Sequence, residues 1–71
     1  MKDPYENEMN GLLQEVADSD FYQLDGVFSA IMYYFMSEYF SGKISFDDML
    51  LYQNKYQSRL LQMAYEAEKL E

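Results

Sequence analysis

Apolar residues return along this chain at three- and four-residue steps, the period of an amphipathic helix, and nowhere alternate as in a strand. Tyr5, Met9, Leu12, Leu13 and Val16 form the first such set and predict a helix over residues 4–17. Asp3-Pro4-Tyr5-Glu6 reads as its start, with Asp3 as cap, Pro4 at the first helical position and Glu6 as capping-box partner. Asp18-Ser19-Asp20 breaks the pattern and offers caps for a second helix over 20–41. There Phe21, Phe28 and Phe35 fall seven apart with Leu24 and Ile31 between them, an a/d series. Gly42 supplies the left-handed residue that commonly ends a helix. Ser45-Phe46-Asp47-Asp48 is a Ser-x-x-Asp variant of the capping box, with Ile44 and Met49 placed as a hydrophobic staple. It opens a third helix over 46–70, carrying the series Phe46, Gln53, Leu60, Ala67 and Met49, Tyr56, Met63, Leu70.

The short link from Gly42 to Ile44 requires the two long helices to run antiparallel. Counting outward from it sets Phe35 against Met49, Ile31 near Gln53 and Tyr56, Phe28 near Tyr56 and Leu60, and Leu24 near Met63. The shorter first helix folds back along the pair, with Val16 near Leu24 and Tyr5 at the Phe35 end. The expected fold is therefore all-α, a single domain over 1–71 built as a three-helix up-down-up bundle.

The second helix is apolar on more faces than one hairpin covers. It leaves a stripe of Tyr22, Gly26, Ser29, Tyr33, Met36 and Phe40 at three- and four-residue spacing. Gly26 costs a helix interior about 1 kcal/mol relative to Ala, which points to close approach of another element. One reading makes the stripe a groove for a partner helix, most simply a second copy about a twofold axis. The other has the first helix cover it. The eight Tyr and six Met residues suit binding surfaces and small cores alike. Tyr52 and Tyr65 stand in that position, as does Gln53, which either fixes register or lies at an edge.

Composition narrows the function. The chain has 71 residues, 49% apolar, with no Cys and no His. Disulfides, thiolate metal sites, Ser-His and Cys-His nucleophiles and Glu-x-x-His di-iron sites are thereby excluded. Asp18-Ser19-Asp20 opens like a calcium loop, but Gln23 stands where that loop needs Gly and Ser29 where it needs Glu. There is no Gly-rich phosphate loop. No catalytic, metal or cofactor-binding residue is expected, and the chain reads as a non-enzyme that needs no cofactor.

Thirteen acids against five bases give a net charge of −8, which argues against direct nucleic-acid binding and against anionic lipid. Asp3, Glu6 and Glu8 stand where a signal peptide carries bases, and the longest nearly apolar run, Val27 to Met36, is too short to span a bilayer. A cytoplasmic protein is the expectation. Charge is uneven: residues 1–25 hold seven acids against Lys2 alone. An acidic face of Glu6, Glu8, Glu15, Asp18, Asp20 and Asp25 suits a partner protein with a basic surface. In composition the chain is similar to small acidic proteins of phages and mobile elements that block host nucleases, restriction systems or CRISPR effectors; no motif carries that similarity. Two functions follow as expectations. One is a regulator or inhibitor whose acidic face imitates nucleic-acid phosphates toward a basic, nucleic-acid-handling partner. The other is a homodimeric structural or adaptor protein that works through the helix-two stripe.

Overall fold

Three helices account for most of the chain in the computed structural model, which describes residues 3–69. They are α1 (Glu6–Asp18), α2 (Leu24–Phe40) and α3 (Phe46–Lys69), and no strand occurs among the described residues. Leu70, expected as the last residue of the third helix, lies outside the described residues.

Both ends of the first expected helix move, for local reasons. The Asp3 carboxylate accepts the Tyr5 N–H at 2.8 Å, so Pro4 and Tyr5 form a turn ahead of the helix. Tyr5 then stands at the N-cap, with no side-chain bond of its own there. The capping box expected of Asp3 and Glu6 is replaced by this tighter turn.

At the other end the Phe21 N–H reaches back to the Val16 carbonyl at 2.9 Å and the Asp20 N–H to the Ala17 carbonyl at 3.1 Å. This is a Schellman closure with an aspartate in the left-handed position. Asp20 and Phe21 have φ of 57° and 60°. Two left-handed residues cannot begin a right-handed helix, so α2 starts at Leu24 rather than at 20. Phe21 thus leaves the heptad series for the turn, where it packs half-buried against the core.

The end of α2 repeats the motif with the expected glycine. Lys43 N–H bonds to the Glu38 carbonyl and Gly42 N–H to that of Tyr39, both at 3.0 Å, with Gly42 at φ 79°. At the start of α3 the Ser45 hydroxyl accepts the Asp48 N–H at 3.1 Å, as a serine cap should.

α2 and α3 pack closely around Phe35, which is fully buried. Its ring stacks on Tyr52 (centroids 5.4 Å apart, planes at 19°) and on Tyr56 (6.0 Å, 8°). Phe35 therefore meets α3 about a turn further along than the expected contact with Met49. Phe46, expected in the core series, stays half exposed, with its ring edge-on to Tyr39. Two glutamines tie the helices. Gln53 donates to the Met32 carbonyl at 2.9 Å and Gln57 to the Phe28 carbonyl at 3.0 Å. A step of four up α3 matches a step of four down α2, so the two helices run antiparallel, and Gln53 does fix register.

α1 lays Met9, Leu13 and Val16 into the core. Tyr5, just ahead of the helix, lies against Phe35 and Tyr52, and Ala17 near its other end lines one cleft with Leu24 and Leu61. That order fits an up-down-up arrangement.

The left-handed conformation costs an L-residue about 1–2 kcal/mol, less for Asp than for most. Asp20→Gly should therefore stabilise the fold by about 1 kcal/mol and raise Tm by about 4–8 °C. Gly42→Ala should lower stability by a similar amount. Thermal melts followed by circular dichroism check both.

Candidate binding surfaces

Three phenols and three carboxylates decide which acids are available to a partner. Buried tyrosine needs a partner for its hydroxyl, and each of these finds an acid. Tyr34 donates to Glu8 at 2.7 Å, Tyr5 to Glu38 at 3.1 Å, and Tyr56 to Asp3 through a short hydrogen bond. Asp3 also accepts Lys55 Nζ at 2.8 Å, so it pins the start of the chain to α3.

Burial opposes ionisation of Asp3, but the bonds from Lys55, Tyr56 and the Tyr5 N–H outweigh it and hold the carboxyl below its ordinary value. The phenols move the other way. Burial and Glu38 push Tyr5 up to about 12, burial and Asp3 raise Tyr56, and the bond to Glu8 followed by burial raises Tyr34.

The six acids expected to share one face divide accordingly. Glu6 and Glu8, two residues apart, lie roughly 160° from each other around α1. Glu6 is half-buried on the side of α3, while Glu8 is exposed on the side of α2 and bonded to Tyr34. Glu15, Asp18, Asp20 and Asp25 are exposed around the α1–α2 turn. Among the described residues the ion pairs are Lys43–Glu38 and Lys55–Asp3, and Arg59 donates to Asn10. Among the described residues no base is paired with the four acids around the turn.

Beside that turn opens a cleft of about 540 Å³ between the turn and the last turns of α3. Ala17, Ala64 and Ala67 leave the space, Phe21, Leu24, Leu61 and Tyr65 give apolar walls, and Asp20 and Glu68 stand at it. Leu61 is 47% exposed and Tyr65 54%. Sequence reasoning missed this cleft because the Leu61–Tyr65 pair, four apart, lies off both heptad series. That offset was the available signal.

The helix-two stripe also meets solvent. Tyr33 is 61% exposed and Phe40 76%; Gly26 and Ser29 are exposed and Met36 is half-buried. Tyr22, 87% exposed, belongs to the turn and so falls outside the helical spacing that grouped it with the others. α1 packs on α2 near Leu12, Ala30 and Tyr34 and leaves the stripe uncovered. A Cβ added to Gly26 would meet nothing within 4 Å, so the close approach expected at this glycine is not made within the chain. Residues 26–37 include no Asp, Glu, Lys or Arg, in a chain that is 25% charged.

Compared with known proteins, the chain matches no family model, no curated protein and no solved structure. Among the described residues no helix is long and apolar enough to cross a membrane, and no three acids are grouped to hold a metal ion.

Asp3→Asn should destabilise the fold by about 1.5–3 kcal/mol, the range for hydrogen bonds to a charged group. Asp3 titrates lower in the fold than in the unfolded chain, so its contribution is complete above the ordinary value of 3.8 and is lost as pH falls through the folded one. The raised phenols contribute fully below pH 10 and lose that contribution as pH rises through their folded values. Denaturant titrations of both proteins across acid and alkaline pH, with tyrosinate absorbance at the alkaline end, should show a flatter acid limb in the variant.

Proposed function

We propose that this protein is a non-enzymatic regulator or inhibitor that binds another protein through a basic segment, taken up at the acidic end of the helices. The observation that carries the reading is the cleft. Its apolar walls of Phe21, Leu24, Leu61 and Tyr65 stand beside Asp20 and Glu68, with Asp18 and Asp25 close in sequence to the same turn.

Arginine and lysine join a long apolar stem to a cationic head. A stem laid along Tyr65 and Leu61 leaves its head at the carboxylates, and a guanidinium also stacks on an aromatic face. A surface of carboxylates alone would attract cations without holding any side chain; the walls add shape to charge. The net charge of −8 speeds encounter with a basic surface and repels nucleic acid and anionic lipid. In its sharpest form the partner is a nucleic-acid-handling protein, whose basic groove the acidic end occupies in place of phosphates. The absence of His and Cys from the sequence supports the non-enzymatic half of the reading.

The test is an NMR titration of the labelled protein with an arginine-rich peptide at low and physiological ionic strength. Amide shifts should concentrate at Ala17, Phe21, Leu61, Tyr65 and Glu68. Reversing Asp20 and Glu68 to Lys should weaken binding about tenfold or more, since like charges then meet. Shifts spread evenly over all exposed acids, including Asp47 and Asp48 at the start of α3, would sink the proposal.

A further inference from the structure

The outer face of α2 carries large residues at one end and small ones at the other. Tyr33 stands at the middle, Met36 and Phe40 lie toward the C-terminal end, and Gly26 and Ser29 lie toward the N-terminal end. A face graded in this way is complementary to itself when turned end for end. Laid antiparallel about a twofold axis at Tyr33, each Phe40 comes over the Gly26 of the other copy and each Met36 over its Ser29. Ser37 then meets Ala30. Bulk falls into space at the Phe40–Gly26 and Met36–Ser29 steps, and the recess above Gly26, where a Cβ would meet nothing within 4 Å, receives a ring that is 76% exposed in the single chain. We propose that the protein forms an antiparallel homodimer through this face of α2, with Tyr33 on the twofold axis.

Charge supports the same occupant and the same direction. Two molecules that each carry −8 repel, so self-association needs a face free of acids, and the twelve residues from Gly26 to Ser37 are such a face. Asp25 precedes it, while at the other end the half-buried Glu38 is paired with Lys43, so that end carries no uncompensated acid. Antiparallel pairing brings the Lys43 end of one copy beside the Asp25 end of the other, whereas parallel pairing would set Asp25 beside Asp25.

Area sets the strength. At roughly 200 Å² per ring, Tyr33 at 61% exposure and Phe40 at 76% offer roughly 270 Å² per copy, to which Met36 and the small residues add. Interfaces at the small end take under about 600 Å² from each partner. The dimer is therefore a weak, transient one. It is independent of the acidic cleft, which lies at the end of the molecule rather than on this face.

Sedimentation equilibrium over a range of concentrations, at low and high salt, tests the proposal. The expected result is a monomer–dimer equilibrium that salt leaves nearly unchanged. Tyr33→Glu should weaken it about 100-fold or more by placing two carboxylates at the axis. Gly26→Leu fills the recess under Phe40 with a better helix former, so it should weaken the dimer while the monomer stays folded by circular dichroism.

Direction is read by cysteine pairing in a chain that has none of its own. An equimolar mixture of Ala30→Cys and Ser37→Cys proteins should form a mixed disulfide that neither forms with itself. A monomer at all concentrations overturns the proposal. So does a dimer indifferent to both Tyr33→Glu and Gly26→Leu, and a disulfide of either variant with itself overturns the antiparallel register.

Discussion

Stacked rings do for this protein what disulfides do for many chains of its size. With no Cys to cross-link 71 residues, the three helices have to be held by packing, and the packing centres on Phe35. Tyr52 and Tyr56 of α3 lie nearly parallel to its ring, and Tyr5 meets it edge-on at 5.1 Å from just ahead of α1. Offset stacks and edge-on contacts are the favourable geometries for aromatic pairs, each worth about 0.5–1.5 kcal/mol beyond the area buried. All three helical segments supply a ring to this cluster or stand next to one that does. Register between α2 and α3, direction of α1 and position of the first residues all follow from it.

Tyrosine rather than phenylalanine at positions 5, 34 and 56 has a consequence for charge. Each buried hydroxyl has to be paired, and Asp3, Glu8 and Glu38 meet that need. Part of the negative charge is therefore structural. Among the described residues four acids without a paired base, Glu15, Asp18, Asp20 and Asp25, lie around the α1–α2 turn, beside the alanine-lined cleft. The turn itself is where the backbone is least relaxed, with Asp20 and Phe21 both left-handed. Asp20 thus holds a conformation that glycine adopts more readily and stands at the cleft with its carboxylate.

The two proposed surfaces divide the molecule. The acidic cleft is at one end, where α1 closes and α3 finishes; the uncharged face lies along α2, away from α1. Each has the physical character the other lacks: one draws a charged partner from a distance, the other adheres only on contact. An antiparallel dimer would carry its two acidic ends apart, so that a partner with two basic sites would be bound twice by one assembly.

Helical periodicity, the Gly42 closure and the Ser45 cap are local signals, and residues near one another in sequence suffice to produce them; that is why the three helices, the short link and the antiparallel pair were legible from the chain alone. Exposure of Tyr33 and Phe40 was legible as one of two readings. Other features had no local signature. Asp3 looks like a simple cap, and only the approach of α3 gives it Lys55 and Tyr56. Asp18-Ser19-Asp20 reads as an invitation to start a helix at 20, and only the docking of Phe21 on the core selects the left-handed turn that delays α2 to Leu24. The six acids form a single list in sequence, but Glu6 and Glu8 point to opposite sides of α1, and only its packing between α2 and α3 sets which neighbour each one faces. The cleft needs Ala17, Leu24 and Ala64 together, residues from three helices. Local chemistry determined where helices begin, end and turn apolar; which faces meet was decided by long-range packing, because a side chain's partner depends on distances that no short stretch of sequence contains.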